Sequence, residues 1–124
     1  MAGEQILVVE DNEKNMKLLR DVLQATGYRT LEASTGGQAL MLAAEHGPAL
    51  VLMDIQLPGI DGITALKRLR EDPTTRAMRV MAVTASAMTQ DRQNILDAGF
   101  DGYQSKPINV KSFLEAVETL LRRP

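Results

Sequence analysis

An open α/β sheet of five parallel strands, wound with helices on both faces, is the fold class this sequence predicts. Two observations carry it. Short apolar runs alternate strictly with amphipathic stretches along a chain of 124 residues, and that alternation is the mark of α/β layering. Three of the runs are apolar at nearly every position, as strands covered on both faces require.

The runs are "QILVV" (5–9), "RTLEA" (29–33), "ALVLM" (49–53), "RVMAVT" (79–84) and "DGYQS" (101–105). The first, third and fourth are the apolar ones; the second and fifth are more polar and read as edges of the sheet. Between the first two, Leu19, Val22, Leu23 and Thr26 recur at helical spacing and Gly27 follows as a stop. The second helix spans about 37–46 and ends at Gly47-Pro48, a stop by two mechanisms. The third carries Ile63, Leu66 and Leu69 and ends before Pro73. The fourth, about 90–98, is weakly amphipathic, and the last sets Phe113, Leu114, Val117, Leu120 and Leu121 on one face. The arrangement expected is a flavodoxin-like, doubly wound (βα)5 with strand order 2-1-3-4-5. One domain over 1–124 with no output domain is expected, since 124 residues suffice for one core and not two.

Composition narrows the function. Apolar residues are 44%, charged residues 24% and the net charge is −2, the balance of an ordinary globular protein. The basic residues are scattered, so a nucleic-acid partner is not expected. Aromatics are 3% with no Trp, which removes base-stacking platforms. The absence of cysteine excludes disulfides, thiolate metal sites and cysteine nucleophiles. No signal peptide or membrane span is readable, and a cytoplasmic location without a membrane partner is the default expectation.

In such sheets ligands bind beyond the carboxyl ends of the strands. Those ends read Glu10-Asp11-Asn12, Asp54, Thr84-Ala85-Ser86 and Ser105-Lys106-Pro107. Three carboxylates, a hydroxyl and a lysine therefore meet on one rim. Crowded acids repel unless a cation relieves them, and an oxygen-only set suits Mg²⁺. With the metal held, one carboxylate can act as nucleophile and form an acyl phosphate. Asp54, ending the most buried strand at the centre of the rim, is the candidate. Lys106 would neutralise phosphoryl oxygens and Thr84 would donate to one of them.

Each residue alone has a plainer role. Asp11 or Asn12 suits a helix cap, Asp54 a turn before Pro58-Gly59, Thr84 a strand and Lys106 the surface. Their shared position at one end of successive strands is what favours chemistry.

"ILVVEDN", "LVLMDIQLPGIDG", "VMAVTA" and "YQSKP", in this order, resemble the receiver domain of two-component response regulators, from Gln5 to Leu121. "MDIQLP" is also similar to single-domain receivers and to the receivers of hybrid kinases. The resemblance implies that Asp54 is the phosphoacceptor, that Asp11 binds Mg²⁺ directly and Glu10 through water, and that Asp54 and the Gln56 carbonyl complete the ligands. It implies a switch pair, Thr84 and Tyr103, and a cis Lys106-Pro107 peptide. Glu10 stands where aspartate is commoner. A histidine kinase or histidine phosphotransfer protein is the implied donor. A downstream protein is the implied target, met through the fourth helix, fifth strand and fifth helix as a monomer or as a dimer promoted by phosphorylation. Ala85 and Ala87 are small enough to let that loop move.

The implied role is a signalling phosphoacceptor rather than an enzyme. An aspartate-based phosphatase sets a second aspartate two positions after the nucleophile, where this chain has Gln56. A pseudo-receiver would lack Asp54, Lys106 or the acidic pair, and an FMN carrier would need a phosphate loop and flanking aromatics. His46, the single histidine, falls in the last turn of a helix, where its cation suits the dipole. Met53, Met78 and Met81 read as core, and Met88 as part of the signalling face. Met16 and Leu18 fall towards the edge of the first helix's apolar stripe, where they would either meet a phosphodonor as exposed apolar groups or be partly buried in the core.

Overall fold

The computed structural model describes residues 3–85 and 89–122. Along the chain run β1 (Gln5–Val9), α1 (Glu13–Ala25), β2 (Arg29–Ala33), α2 (Gly36–His46), β3 (Leu50–Asp54), α3 (Gly62–Glu71), β4 (Val80–Thr84), α4 (Thr89–Asp97), β5 (Gly102–Ser105) and α5 (Val110–Arg122). The strands form one parallel sheet in the order β2-β1-β3-β4-β5. The expected fold class is borne out, with the two polar runs at the edges.

The period of two along each central strand divides the core. Leu7, Val9, Val51, Met53, Val80 and Ala82 join one buried cluster with residues of α2, α3 and α4. Ile6, Val8, Leu50, Leu52, Met81 and Val83 join the other with α1 and α5. A strand that fills both clusters has no polar position to spare, hence the unbroken apolar runs. Each fully buried Leu, Ile or Val contributes about 1.5–3 kcal/mol relative to exposure.

Short polar side chains start the helices. Asn12 Oδ1 accepts from Asn15 N at 3.1 Å, Thr35 Oγ1 from Gln38 N at 3.1 Å, Asp61 Oδ1 from Thr64 N at 2.8 Å and Asn109 Oδ1 from Ser112 N at 2.9 Å. Each satisfies an amide that has no partner within its helix. Gly47 ends α2 in the left-handed region, with φ 57°, where a side chain would be strained.

The structure refines four readings of the sequence. Thr26 is not in the core stripe of α1; it is the C-cap, donating from Oγ1 to Val22 O at 2.8 Å. Of the two readings open for Met16 and Leu18, Met16 takes the buried one, in the cluster with α5, and Leu18 is exposed. Of the α5 stripe, Leu114 and Leu121 are half-buried while Phe113, Val117 and Leu120 are buried. Asp101 lies before β5, not within it, and its carboxylate accepts from Val80 N at 2.8 Å. His46 stands exposed in the last turn of α2, as expected. Ser86, Ala87 and Met88 fall outside the described residues, and Ala85 is exposed.

Candidate phosphoacceptor and metal site

Parallel strands deliver their last residues to one edge. β3 carries Asp54 as its final residue, one position further than its apolar run, and Asp54 is 5% exposed. Glu10 follows β1 and is 2% exposed; its amide continues the sheet by donating to Ala33 O at 3.0 Å. Thr84, the last residue of β4, is buried, and its carbonyl accepts from Lys106 N at 2.8 Å. That bond ties the start of the β5–α5 loop to β4 and turns Lys106 back over the rim. The Lys106-Pro107 peptide is cis, as the resemblance implied.

The side chains converge. Lys106 Nζ lies 2.8 Å from Glu10 Oε1 and 3.2 Å from Asp54 Oδ2. Asp54 Oδ1 accepts from Gln56 N at 3.0 Å, so the turn-forming role of Asp54 is real and coexists with the others. Glu10 Oε2 accepts from Asn12 N at 3.1 Å. Glu10 Oε1, by contrast, is buried with the Lys106 ammonium as its close partner. Asp11 is exposed at the mouth. One oxygen each from Glu10, Asp11 and Asp54 lie within 4.8 Å of one another, a group able to hold a metal ion.

The electrostatics follow from burial and crowding. Burial lifts the Glu10 carboxyl above its ordinary value and Asp54 beside it adds to the lift, against the pull of Lys106 and Asn12 N–H. Burial by itself pulls the Lys106 ammonium down, but Glu10 and Asp54 outweigh it and leave the group above its ordinary value. Lys106 is thus firmly charged, and three carboxylates still face one ammonium. A hard divalent cation fits this site: the donors are all oxygen, three carboxylates share one ammonium, and Asp11 opens to solvent where retained water has room.

Tyr103 pairs with Ala82 and Ser105 with Thr84 in the β4–β5 register. Tyr103 and Thr84 therefore share one face of the sheet, and Tyr103 packs, half-buried, against the α2–α4 cluster. Beside the acids a cleft of about 640 Å³ runs along α1 past Lys14, Met16 and Lys17 to Ser34.

The structure brings Glu10, Asp11, Asp54 and Lys106 together, with Gln56 bonded to Asp54 through its amide and Thr84 bonded to Lys106 through main chain. Sequence reasoning missed Gly62, the first residue of α3, which packs directly on the main chain of Asp54. The signal was present in "PGIDG", where an aspartate cap is followed by a glycine in place of a better helix former.

A fold of this topology with such an acidic rim is that of a receiver-type domain. A sequence profile of the response regulator receiver domain matches residues 6–118, and the chain belongs to that family. It is 47% identical over 118 residues to the polar-differentiation response regulator DivK of Brucella ovis, covering 95% of this chain and 96% of that protein. DivK of Brucella anthropi matches to the same extent. Among solved structures, the receiver domain of a sensor histidine kinase from Pseudomonas aeruginosa, with a magnesium ion coordinated in its active-site cleft, is 33% identical at a TM-score of 0.91, covering 98% of this chain and 100% of that one. A response regulator from Chloroflexus aurantiacus is 30% identical at a TM-score of 0.93, covering 98% and 99%. No described helix is long and apolar enough to cross a membrane.

Proposed function

We propose that this chain is a phosphorylation-controlled signalling module of the DivK kind, which takes a phosphoryl group on Asp54 from the phosphohistidine of a kinase or phosphotransfer protein. The observation that carries the reading is Asp54 itself: a buried carboxylate at the end of the central strand, 3.2 Å from a charged Lys106 and grouped with the oxygens of Glu10 and Asp11.

Glu10, Asp11, Asp54 and the Gln56 carbonyl would hold Mg²⁺, which when bound neutralises charge on the phosphoryl oxygens. An Asp54 carboxylate oxygen attacks phosphorus, the P–N bond to the donor histidine breaks, and its electron pair stays on the imidazole, which takes up a proton. Lys106, already beside Asp54, moves its charge to a phosphoryl oxygen at little cost in reorganisation. The Thr84 hydroxyl then has a new acceptor next to the aspartate. Tyr103 follows on the same sheet face, and the surface of α4, β5 and α5 shifts population towards the partner-binding form. With Gln56 where a phosphatase needs its acid-base aspartate, self-dephosphorylation is slow and the group persists as a signal.

Intact mass after incubation with Mg²⁺ and phosphoramidate tests this. One phosphoryl group is expected, absent without metal and absent in Asp54→Asn. A wild-type chain that gains nothing from phosphoramidate or from phosphohistidine donors defeats the reading. A gain that survives in the Asn variant moves the acceptor elsewhere.

A further inference from the structure

We infer that Gly62 is a positioning residue for Asp54: its bare Cα lets the N-terminus of α3 rest on the main chain of the acceptor, and this seat fixes where the carboxylate stands. The inference rests on the reading of Asp54 as phosphoacceptor.

A Cβ on residue 62 would stand 2.4 Å from Asp54 O, 2.9 Å from Ile55 Cα and 3.1 Å from the Asp54 carbonyl carbon. All three are main-chain atoms, which cannot rotate aside as a side chain can. Gly62 is not among the glycines with positive φ, so conformational freedom is not what the position asks for. It asks for closeness. Gly62 N donates to Ile55 O at 2.9 Å, which closes the β3–α3 loop onto its own first residue. Asp61 pins the helix start there, its side chain accepting from Thr64 N and its carbonyl from Ala65 N at 3.0 Å.

The main chain of Asp54 is therefore held from two sides. On one, Asp54 pairs with Val83 of β4 and Ile55 N donates to Val83 O at 3.3 Å. On the other is α3. The carboxylate has its own two holds, Gln56 N and Lys106 Nζ, and Gln56 belongs to the loop that Gly62 closes. A methyl group at 62 would drive helix and strand end apart by about 1 Å to reach ordinary contact, and a displacement of about that size can lower a reaction rate about 100-fold. Gly36 supplies the contrast. A Cβ there would meet the Ile60 side chain at 2.5 Å and Ile60 O at 3.0 Å, on the same loop but away from Asp54, and an isoleucine can turn.

The test compares Gly62→Ala with Gly36→Ala. Mg²⁺ affinity is measured by titration calorimetry, and phosphorylation rate with phosphoramidate at saturating Mg²⁺, after circular dichroism has shown each variant folded. Gly62→Ala is expected to weaken Mg²⁺ binding at least five-fold and slow phosphorylation at least ten-fold, with Gly36→Ala within two-fold of the unsubstituted chain in both. A folded Gly62→Ala that keeps both within two-fold overturns the inference, as do equal losses in the two variants. Should Gly62→Ala fail to fold, Asp61→Ala decides, because it loosens the same helix end without adding an atom. It must slow phosphorylation at least three-fold at a temperature where it is fully folded, and an unchanged rate overturns the inference. Failure of the underlying reading shows separately, as an unsubstituted chain that gains no phosphoryl group, and the Mg²⁺ comparison then decides on the seat alone.

Discussion

The two ends of the sheet solve the burial of charge in opposite ways. At the carboxyl ends of the strands, three carboxylates share one lysine, so negative charge is left over. At the amino ends of β4 and β5, Arg70 on the last turns of α3 spreads one guanidinium over four acceptors. Nη1 donates to the carbonyls of Arg76, at 3.0 Å, and Met78; Nη2 donates to Gly99 O at 3.2 Å and to Asp101 Oδ2 at 3.0 Å. The same Asp101 oxygen accepts from Val80 N, while Asp101 N donates to Val80 O at 2.8 Å. Beneath them buried Thr75 donates to Leu69 O at 2.7 Å. One end is a closed network, and the other keeps more carboxylates than its one cation offsets. A protein tolerates the second arrangement where function needs it, and the fully paired corner helps to offset its cost.

The sharpest way to break this comparison is to remove Arg70. Arg70→Ala takes the guanidinium from three carbonyls and from a partly buried carboxylate, which keeps only Val80 N. With the side chains of Arg70 and Asp101 26% and 29% exposed, the expected loss is about 2–3 kcal/mol, measured as a shift in the urea midpoint. Its phosphorylation rate, taken at a temperature where it is folded, stays within two-fold of wild type. Asp54→Asn should do the reverse: no phosphorylation, and stability within about 1 kcal/mol, because the substitution relieves a crowd while costing Lys106 one of two partners. A stable Arg70→Ala would mean that water replaces the network and that the contrast between the two ends is only apparent.

Most of this fold was legible because its signals are local. β1 and β2 begin and end where their runs do, β3 is shifted by one residue at both ends and β4 starts one residue later; the central strands were the plainest, since a strand that fills both faces must be apolar throughout. The rim residues were legible because strand ends are. What escaped depends on contacts across the chain. Asp101 looked like strand because its neighbours are, but its carboxylate serves Val80 N and Arg70, 21 and 31 positions away. Met16 was left open between edge and core because its burial depends on α5 residues that join it in one cluster only in the folded chain. Gly62 drew no reading of its own, because only the folded chain shows Asp54 O where its side chain would be.

Metal sharpens the comparison from the other side. A ligand that binds only the folded chain stabilises it by mass action, by about 1.4 kcal/mol at ten times the dissociation constant. For a domain of this size that is about 4–6 °C in Tm. Mg²⁺ at that excess should produce the shift at pH 7, Ca²⁺-free and at constant ionic strength, and EDTA should reverse it. Asp54→Asn should lose most of it, whereas Asp101→Asn, at the other end, should keep all of it above a lowered baseline. The shift should also shrink towards pH 5. Burial holds the Glu10 carboxyl above its ordinary value of 4.5, so in acid a proton competes for the oxygen the metal needs. In the metal-free protein the same raised carboxyl works the other way. Its contribution to stability is present in acid and is lost as the pH rises through the folded value.

Asp61 gives the smallest effect and the opposite sign, although it stands only seven positions from Asp54. The Thr64 N–H, chiefly, holds its carboxyl below the ordinary value of 3.8. Because the folded value lies under the unfolded one, the stability Asp61 contributes is complete above the unfolded value and disappears as the pH falls through the folded one. Asp61→Ala should therefore lower stability by about 1 kcal/mol at pH 7, with the deficit closing as the pH falls below the unfolded value. Asp61→Asn, which keeps an accepting oxygen but cannot ionise, should recover most of the loss at pH 7 and show no such closure. A deficit for Asp61→Ala that is flat from pH 7 to pH 3 would mean that the cap acts through geometry alone. The helix end over Asp54 would then be held by the shape of Gly62 and not by charge.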